Sequence, residues 1–357
     1  MRIGIDARPL AGQLSGIGRY VLELCHTLDA AFPDAEFFAY SPYSPSVALP
    51  SQRWIERQHE WQLTHLGGYF WLKYLAPSLI AHDRLDWFVG TRTLLPSLPE
   101  NLRSISVAYD LNHVIVPRTM TPANRLAHTL FLRHDVRRAT RVVAISAGTA
   151  SRLARYTGRR ADLVVHPGIA PHFGVQHPNE IDRVRAKHGL NGPYLLSVAT
   201  FEPRKNIGAL IDAFLALKAA GRLRDHTLVL AGAGGWGQSG LARQLEQGIP
   251  GIRRLGFVDD ADLPPLYAGA DAFVFPSIYE GYGMPVAEAL ACGTRVVATN
   301  IPELREAAHG RAVLVDPDAA SIASGIEQSL LQQRPDPLPR DYNAESKRAF
   351  AALFTAD

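Results

Sequence analysis

Residues 273–298 read FVFPSIYEGYGMPVAEALACGTRVVA, and their order predicts a strand, an acidic glycine-rich loop, a helix and a further strand. The apolar run 273–275 stops at Pro276. A polar turn holding Glu280 follows, then Gly281 and Gly283, then Met284 and Pro285, where a proline suits the opening of a helix because it lacks the N–H that a first turn leaves unpaired. Strong helix formers over 286–291 end at Gly293. In an open parallel sheet this unit sets its loop at the carboxyl edge of the strands, where unpaired helix amides and the positive dipole end favour an anion. Glu280 lies in the loop, and Glu288, eight residues on, is expected in the first helical turn. A phosphate held by amides does not tolerate two more anions touching it, so these carboxylates would accept from hydroxyls, one from a sugar and the other from a ribose on either side of a diphosphate. The alternative for Glu288 is service to the helix dipole alone.

Outward from this unit, short apolar runs alternate with helical or irregular stretches. Runs at 2–6, 36–40, 87–89, 105–108, 142–145 and 163–165 form one set. The breakers His166-Pro167-Gly168 and a polar segment follow. A second set lies at 194–199, 227–231, 252–255, 272–275, 295–298 and 312–315. Such alternation predicts two parallel α/β domains. We set them at 1–175 and 176–340, with a terminal helical segment over 341–357. The length, 357 residues with 47% hydrophobic and 20% charged, gives each domain enough chain for a core. Cys25 and Cys292 are too few for a disulfide framework, which points to a reducing cytoplasm. The opening run is too short for a signal peptide, and no run approaches the roughly 20 apolar residues of a membrane span.

Glu280 and Glu288 in YEGYGMPVAEALACGTRVVA form an E-x7-E pattern that resembles the retaining glycosyltransferases of family 4. The resemblance continues in SVATFEPRKNI (197–207), similar to the family's G-T-x-x-P-R-K-N with Ala199 in place of the usual glycine, and in LGFVDDADL (255–263) and ADAFVFPS (270–277). GIDARPLAGQLSGIGRYVLEL (4–24) resembles the family's opening strand and G-I-G-R-Y loop. Matches in order across both halves of the chain are specific where one glycine-rich loop is not. The resemblance implies a GT-B fold: two Rossmann-like α/β domains facing a central cleft, acceptor-binding first and nucleotide-sugar-binding second, with the C-terminal helix crossing back to the N-terminal domain.

It also implies roles for named residues. Glu280 would hold the donor sugar and Glu288 the ribose. Arg204 and Lys205, after a strand, Glu202 and Pro203, present a fork and a point charge suited to a diphosphate. With the amides from Gly283 to Val286 they would stabilise the charge that develops as a glycosyl-phosphate bond breaks, without a metal ion. Gly16 and Gly18 would close over the donor, with Arg19 orienting it. Gly256, Phe257 and Val258, and Ala233-Gly234-Gly235, would meet the base. Relatives carry His-Asp where this chain has Tyr109-Asp110, and His113 stands four positions on, so Tyr109, Asp110 and His113 compete for contact with the donor sugar or acceptor hydroxyl. The F-E-P-R-K-N form resembles bacterial mannosyl- and deoxyhexosyltransferases that build O-antigen or exopolysaccharide on a lipid carrier. GDP-mannose is the first expected donor, then a GDP- or dTDP-deoxysugar, with no resident cofactor. A nucleotide-sugar epimerase or hydrolase of GT-B type, and a non-catalytic sugar-nucleotide-binding subunit, are the alternatives.

Residues 1–180 carry 19 Lys+Arg against 14 Asp+Glu, and eleven arginines fall between Arg103 and Arg160. Such a surface could steer toward anionic lipid headgroups or a pyrophosphate-linked acceptor. No recognition module for nucleic acid accompanies it. Arg133, Arg137 and Arg141 at four-residue spacing also fit a solvated helix face. WQLTHLGGYFWLKYLAPSLIAHDRLDWF (61–88) is dense in aromatics, and 69–81 could form an amphipathic helix with Lys73 as its polar edge. Core or acceptor pocket is the preferred reading of that stretch, and peripheral contact with the inner face of a membrane is the other.

Overall fold

The computed structural model describes residues 1–12, 14–58, 68–117, 120, 122–232, 247–339 and 341–355, with the side chains of 122–124 excepted. The chain divides into two compact units, Met1–Gly168 with Asn343–Asp357, and Ile169–Tyr342.

The first unit is built on seven parallel strands: β1 (Arg2–Asp6), β2 (Glu36–Tyr40), β3 (Trp54–Arg57), β4 (Trp87–Gly90), β5 (Arg103–Ala108), β6 (Arg141–Ala144) and β7 (Leu163–Val164). Their order is β3-β2-β1-β4-β5-β6-β7. The second unit repeats the scheme with β8 (Tyr194–Val198), β9 (Thr227–Ala231), β10 (Ile252–Gly256), β11 (Ala272–Phe275), β12 (Val296–Thr299) and β13 (Ala312–Val315), ordered β10-β9-β8-β11-β12-β13. Each sheet runs one way for three strands and then reverses, the doubly wound order of dinucleotide-binding folds. Ligands of such sheets lie outside the carboxyl ends of the strands at the reversal. That point falls between β1 and β4 in one unit and between β8 and β11 in the other. Both faces of these strands are covered, which is why they read as unbroken apolar runs: Leu195, Leu196, Val229, Leu230, Phe273, Val274 and Val297 are all essentially inaccessible.

Strand β3 is not predicted by the sequence patterning. It is an edge strand, pairing only with β2 among the described residues, and WIER exposes Glu56, so it lacks the apolar continuity of its neighbours. Two other expectations are corrected. Arg141 opens β6 and does not continue the helix Pro122–Arg138, on which Arg133 and Arg137 are exposed and Arg138 donates to Asp135 and to the carbonyls of Leu95 and Pro96. Lys73 is not a solvent-facing edge: its ammonium is drawn to Asp135, a buried carboxylate that also accepts from Arg138. Exposure falls instead on Phe70 and Tyr74. Among the described residues no helix is long and apolar enough to cross a membrane.

The helix Ala344–Ala352 belongs to the first unit. Phe354 packs against Trp87, Phe32 and Phe350, and the Trp87 indole donates to the Phe354 carbonyl at 3.1 Å. Glu23, on the helix Gly16–Ala31, receives Gly168 N–H at 2.6 Å, Asn343 Nδ2 at 3.1 Å and Lys347 Nζ at 3.0 Å. Asn343 Nδ2 donates as well to the carbonyl of His166. A Cβ on Gly168 would stand 1.8 Å from a Glu23 oxygen, so a larger residue there would have to displace the Glu23 carboxylate.

Candidate active site

A cluster of functional side chains lies at each sheet reversal. In the second unit, Pro203–Lys205 makes a single tight turn beyond β8, and the loop after β11 carries Ser277 and Glu280. Because β8 and β11 are neighbours, the turn and the loop meet: Ile278 N–H donates to the Arg204 carbonyl at 2.9 Å. Lys205 Nζ donates to Glu280 at 2.5 Å, Ser277 Oγ to the same oxygen at 2.6 Å, and Arg204 Nη1 to the other oxygen at 3.1 Å. Arg204 also donates to Glu202 at 2.8 Å and to the Tyr279 carbonyl at 3.2 Å. Lys205 lies 4.8 Å over the Phe275 ring.

Lys205 and Glu280 are each 8% exposed, so their charges sit in a poor solvent for ions. Burial would raise the Glu280 carboxyl, but Lys205, Arg204 and Ser277 outweigh it and hold the group below its ordinary range. Burial draws the Lys205 ammonium below its usual value, with Glu280 opposing. The result is an ionised carboxylate, two cations and a hydroxyl fixed at the edge where an anionic group with hydroxyls would dock.

The helix Met284–Ala291 opens at Gly283, whose φ of 115° and ψ of 46° suit glycine alone. The amide supply there is narrower than the sequence implies. Pro285 has no N–H and Val286 N–H goes to the Gly283 carbonyl at 2.9 Å, which leaves Gly283 and Met284 as the amides able to face a ligand. A Cβ at Gly283 would also meet Leu304 at 2.5 Å. Gly283→Ala is therefore expected to cost about 1–3 kcal/mol of stability, from backbone strain and displacement of buried Leu304. Urea unfolding measures it, and an unaltered midpoint would mean the turn relaxes.

Glu288 departs from expectation. It is the fifth residue of its helix, not in the first turn, so the dipole alternative fails; it is 5% exposed and accepts from the buried Tyr267 hydroxyl at 3.1 Å. Gly281 precedes the positive-φ turn. Gly256 ends edge strand β10 and its carbonyl accepts from Gly232 N–H, Phe257 projects into solvent, and Val258 is buried. Residues 233–235, also expected at the base, lie outside the described residues.

The chain carries Asp-x-Asp pairs at Asp260–Asp262 and Asp316–Asp318. Asp262 is bound by Lys187 and Arg183, and Asp318 caps the helix Ala319–Leu331 through Ser321 N–H. Among the described residues no group of three His, Cys, Asp or Glu side chains is placed to hold a metal ion.

In the first unit the loops after β1, β4 and β5 bring Ile17, Arg92, Thr93, Tyr109, Asp110 and Asn112 around one cavity of about 120 Å³. The helix bearing Gly16 and Gly18 starts at Gly16 itself, with Ser15 as its cap. Gly18 is required by packing, since a Cβ would stand 2.5 Å from the Pro9 carbonyl; around Gly16 there is open space. Asp110 Oδ2 accepts from Asn112 Nδ2 at 2.7 Å. His113 lies behind the cavity, its ring against His128 and Tyr156. Tyr69 and His128 complete the wall, joined by a 2.9 Å hydrogen bond. Neither was predicted. The aromatic stretch held a hint of Tyr69, while His128 gives no local signal.

Two doubly wound sheets of this order match the GT-B fold, and solved structures agree. A sucrose-phosphate synthase from Thermosynechococcus elongatus superposes with TM-score 0.70 at 19% identity, covering 99% of this chain and 94% of that one. WaaG, a glycosyltransferase involved in lipopolysaccharide biosynthesis, gives 0.69 at 16% identity over 99% and 94%. The family model described as glycosyl transferases group 1 matches residues 192–332. The O-antigen chain mannosyltransferase B of Escherichia coli is 31% identical over 352 residues, 92% of this chain and 91% of that protein. The chain belongs to the group 1 glycosyltransferases, and it is an enzyme of that class.

Proposed function

We propose that the enzyme transfers a hexose, mannose from GDP-mannose in the first instance, with retention of configuration onto a lipid-linked saccharide in the synthesis of a bacterial surface polysaccharide. The observation that carries this reading is the Glu280 cluster: a carboxylate fit to accept from sugar hydroxyls, held between two cations fit to take a diphosphate. The name of the Escherichia coli relative supports both the sugar and the O-antigen setting.

In this mechanism Arg204 and Lys205, already fixed beside Glu280, stabilise the charge that grows on the leaving diphosphate. Glu280 orients the sugar. The departing phosphate oxygen takes the proton of the acceptor hydroxyl, which attacks from the leaving-group face, so no protein nucleophile is needed. Binding of the donor would fall to the second unit and of the acceptor to the first. The enzyme would work in the cytoplasm, at the inner face of the membrane. Exposed Phe70, Tyr74, Leu126 and Leu130 beside exposed Arg125 and Arg133 suit peripheral contact with anionic lipid.

The test is release of nucleoside diphosphate from a panel of GDP-, UDP-, dTDP- and ADP-sugars, with and without a lipid-pyrophosphate sugar acceptor. Acceptor-stimulated release from GDP-mannose, lost in Glu280→Ala and Lys205→Ala, is the expected result. Donor conversion that ignores the acceptor would replace the proposal with an epimerase or hydrolase, and donor binding without turnover would point to a binding subunit.

A further inference from the structure

We infer that Tyr69 and His128, with the hydroxyl of Tyr109, form the subsite that grips the acceptor's sugar ring and set which hexose is accepted. This rests on the glycosyltransfer reading above and deepens it. The cavity lies at the carboxyl edge of the first unit's sheet, at the strand-order reversal where ligands of such sheets bind. Its volume of about 120 Å³ admits one edge of a pyranose; pockets that swallow a nucleotide-sized ligand run to about 300–1,000 Å³.

The lining chemistry selects for hydroxyls. Tyr109 is 7% exposed, and its hydroxyl has no hydrogen-bond partner among the described residues, although it borders the cavity. A buried hydroxyl of that kind costs stability unless something supplies a partner. Burial holds the Tyr109 phenol far above its usual range, so it stays protonated and able to donate. Arg92 and Asp110 put one charge of each sign on the wall, which disfavours a bare phosphate and suits a neutral polyol.

The Tyr69–His128 pair is built with care. Tyr69 lies between two guanidinium groups, Arg8 at 5.1 Å and Arg92 at 5.2 Å from its ring centre. Arg8 is itself fixed by Asp6 at 2.7 Å and donates to the Gly68 carbonyl at 2.6 Å, which sets the backbone one residue before Tyr69. On the other side His113 backs the His128 ring at 5.5 Å. Burial pushes His128 down to about 3 and His113 to about 4, so both rings are neutral. A neutral imidazole bonded to a phenol offers both a donor and an acceptor, the pair that a sugar hydroxyl matches. A site built to hydrogen-bond a hydroxyl rejects an analogue that lacks it far more strongly than an apolar pocket does.

Ligand-observed saturation-transfer NMR on the whole chain, without donor, tests this with the methyl glycosides of mannose, glucose, galactose and N-acetylglucosamine. One glycoside is expected to receive saturation, and the signal should vanish in Tyr69→Phe and His128→Gln, which keep ring and size. In the transfer assay both variants should raise the acceptor KM about tenfold or more, against a donor KM that moves less than twofold. Equal glycoside binding by parent and variants, or a shift confined to the donor KM, would overturn the inference. So would the absence of any glycoside signal from a chain that turns over donor and acceptor. If no donor is turned over at all, the glycosyltransfer reading fails separately, and glycoside binding still decides whether the cavity takes a sugar.

Discussion

Glu280→Ala is expected to lose about 3–5 kcal/mol of folding stability together with its transfer activity, the cost of leaving a buried charge without its partner. The carboxylate is the shared acceptor of Lys205, Arg204 and Ser277. Truncation strands the Lys205 ammonium, which has only 8% exposure and cannot recover its hydration. The companion is Lys205→Met with Glu280→Leu: apolar replacement of a whole buried pair is often close to neutral, so the double variant should be more stable than Glu280→Ala while remaining inactive. A double variant as unstable as the single one would place the cost in packing rather than charge.

The same carboxylate fixes a pH dependence. Its pKa in the folded chain lies below the ordinary glutamate value of about 4.3, so its contribution to stability is present above that value and is lost as pH falls through the lowered one. Urea midpoints of the parent chain should therefore drop more steeply than those of Glu280→Gln below about pH 5. Parallel profiles would show that the cations do not depress the group.

Arg204→Ala should lower kcat about 10²- to 10³-fold, the effect of removing one preorganised donor aimed at developing charge, about 2.7–4 kcal/mol. The guanidinium reaches Glu202, the Tyr279 carbonyl and Glu280 at once, so its plane is fixed before any ligand arrives. Lysine at this position should not restore activity, because a point charge cannot reproduce the fork. Single-turnover kinetics over a range of donor concentration separate the steps. A loss confined to donor KM would mean that Arg204 binds ground and transition states alike.

What could be read from the sequence was what is local. Gly283, Pro285 and the apolar run before them specify strand, turn and helix within a dozen residues, and both Arg204 and Glu280 follow a strand end. That they meet follows from strand order, because β8 and β11 are made adjacent by the reversal. Contacts across long separations were hidden. Tyr69 and His128 are 59 residues apart, Lys73 and Asp135 62, and nothing in either neighbourhood announces the partner. Glu288 was misplaced by a single turn because the helix begins at Met284, and a residue at that position points to Tyr267 instead of the helix end. The residues at 71–75 adopt the wider π-helical winding, which shifts side-chain phase away from the pattern that put Lys73 on an outer edge.

Glu23 holds Gly168 and Asn343 on one carboxylate, and these are the residues at which the chain leaves the first unit and comes back to it. Topologically, the second unit is thus an insertion into a loop whose two ends already touch. Residues 169–342 could be cut out as one continuous polypeptide, and a few glycines joining 168 to 343 would close the remainder with almost no loop to order. The same proximity makes this seam a natural place to exchange the second unit for that of a relative.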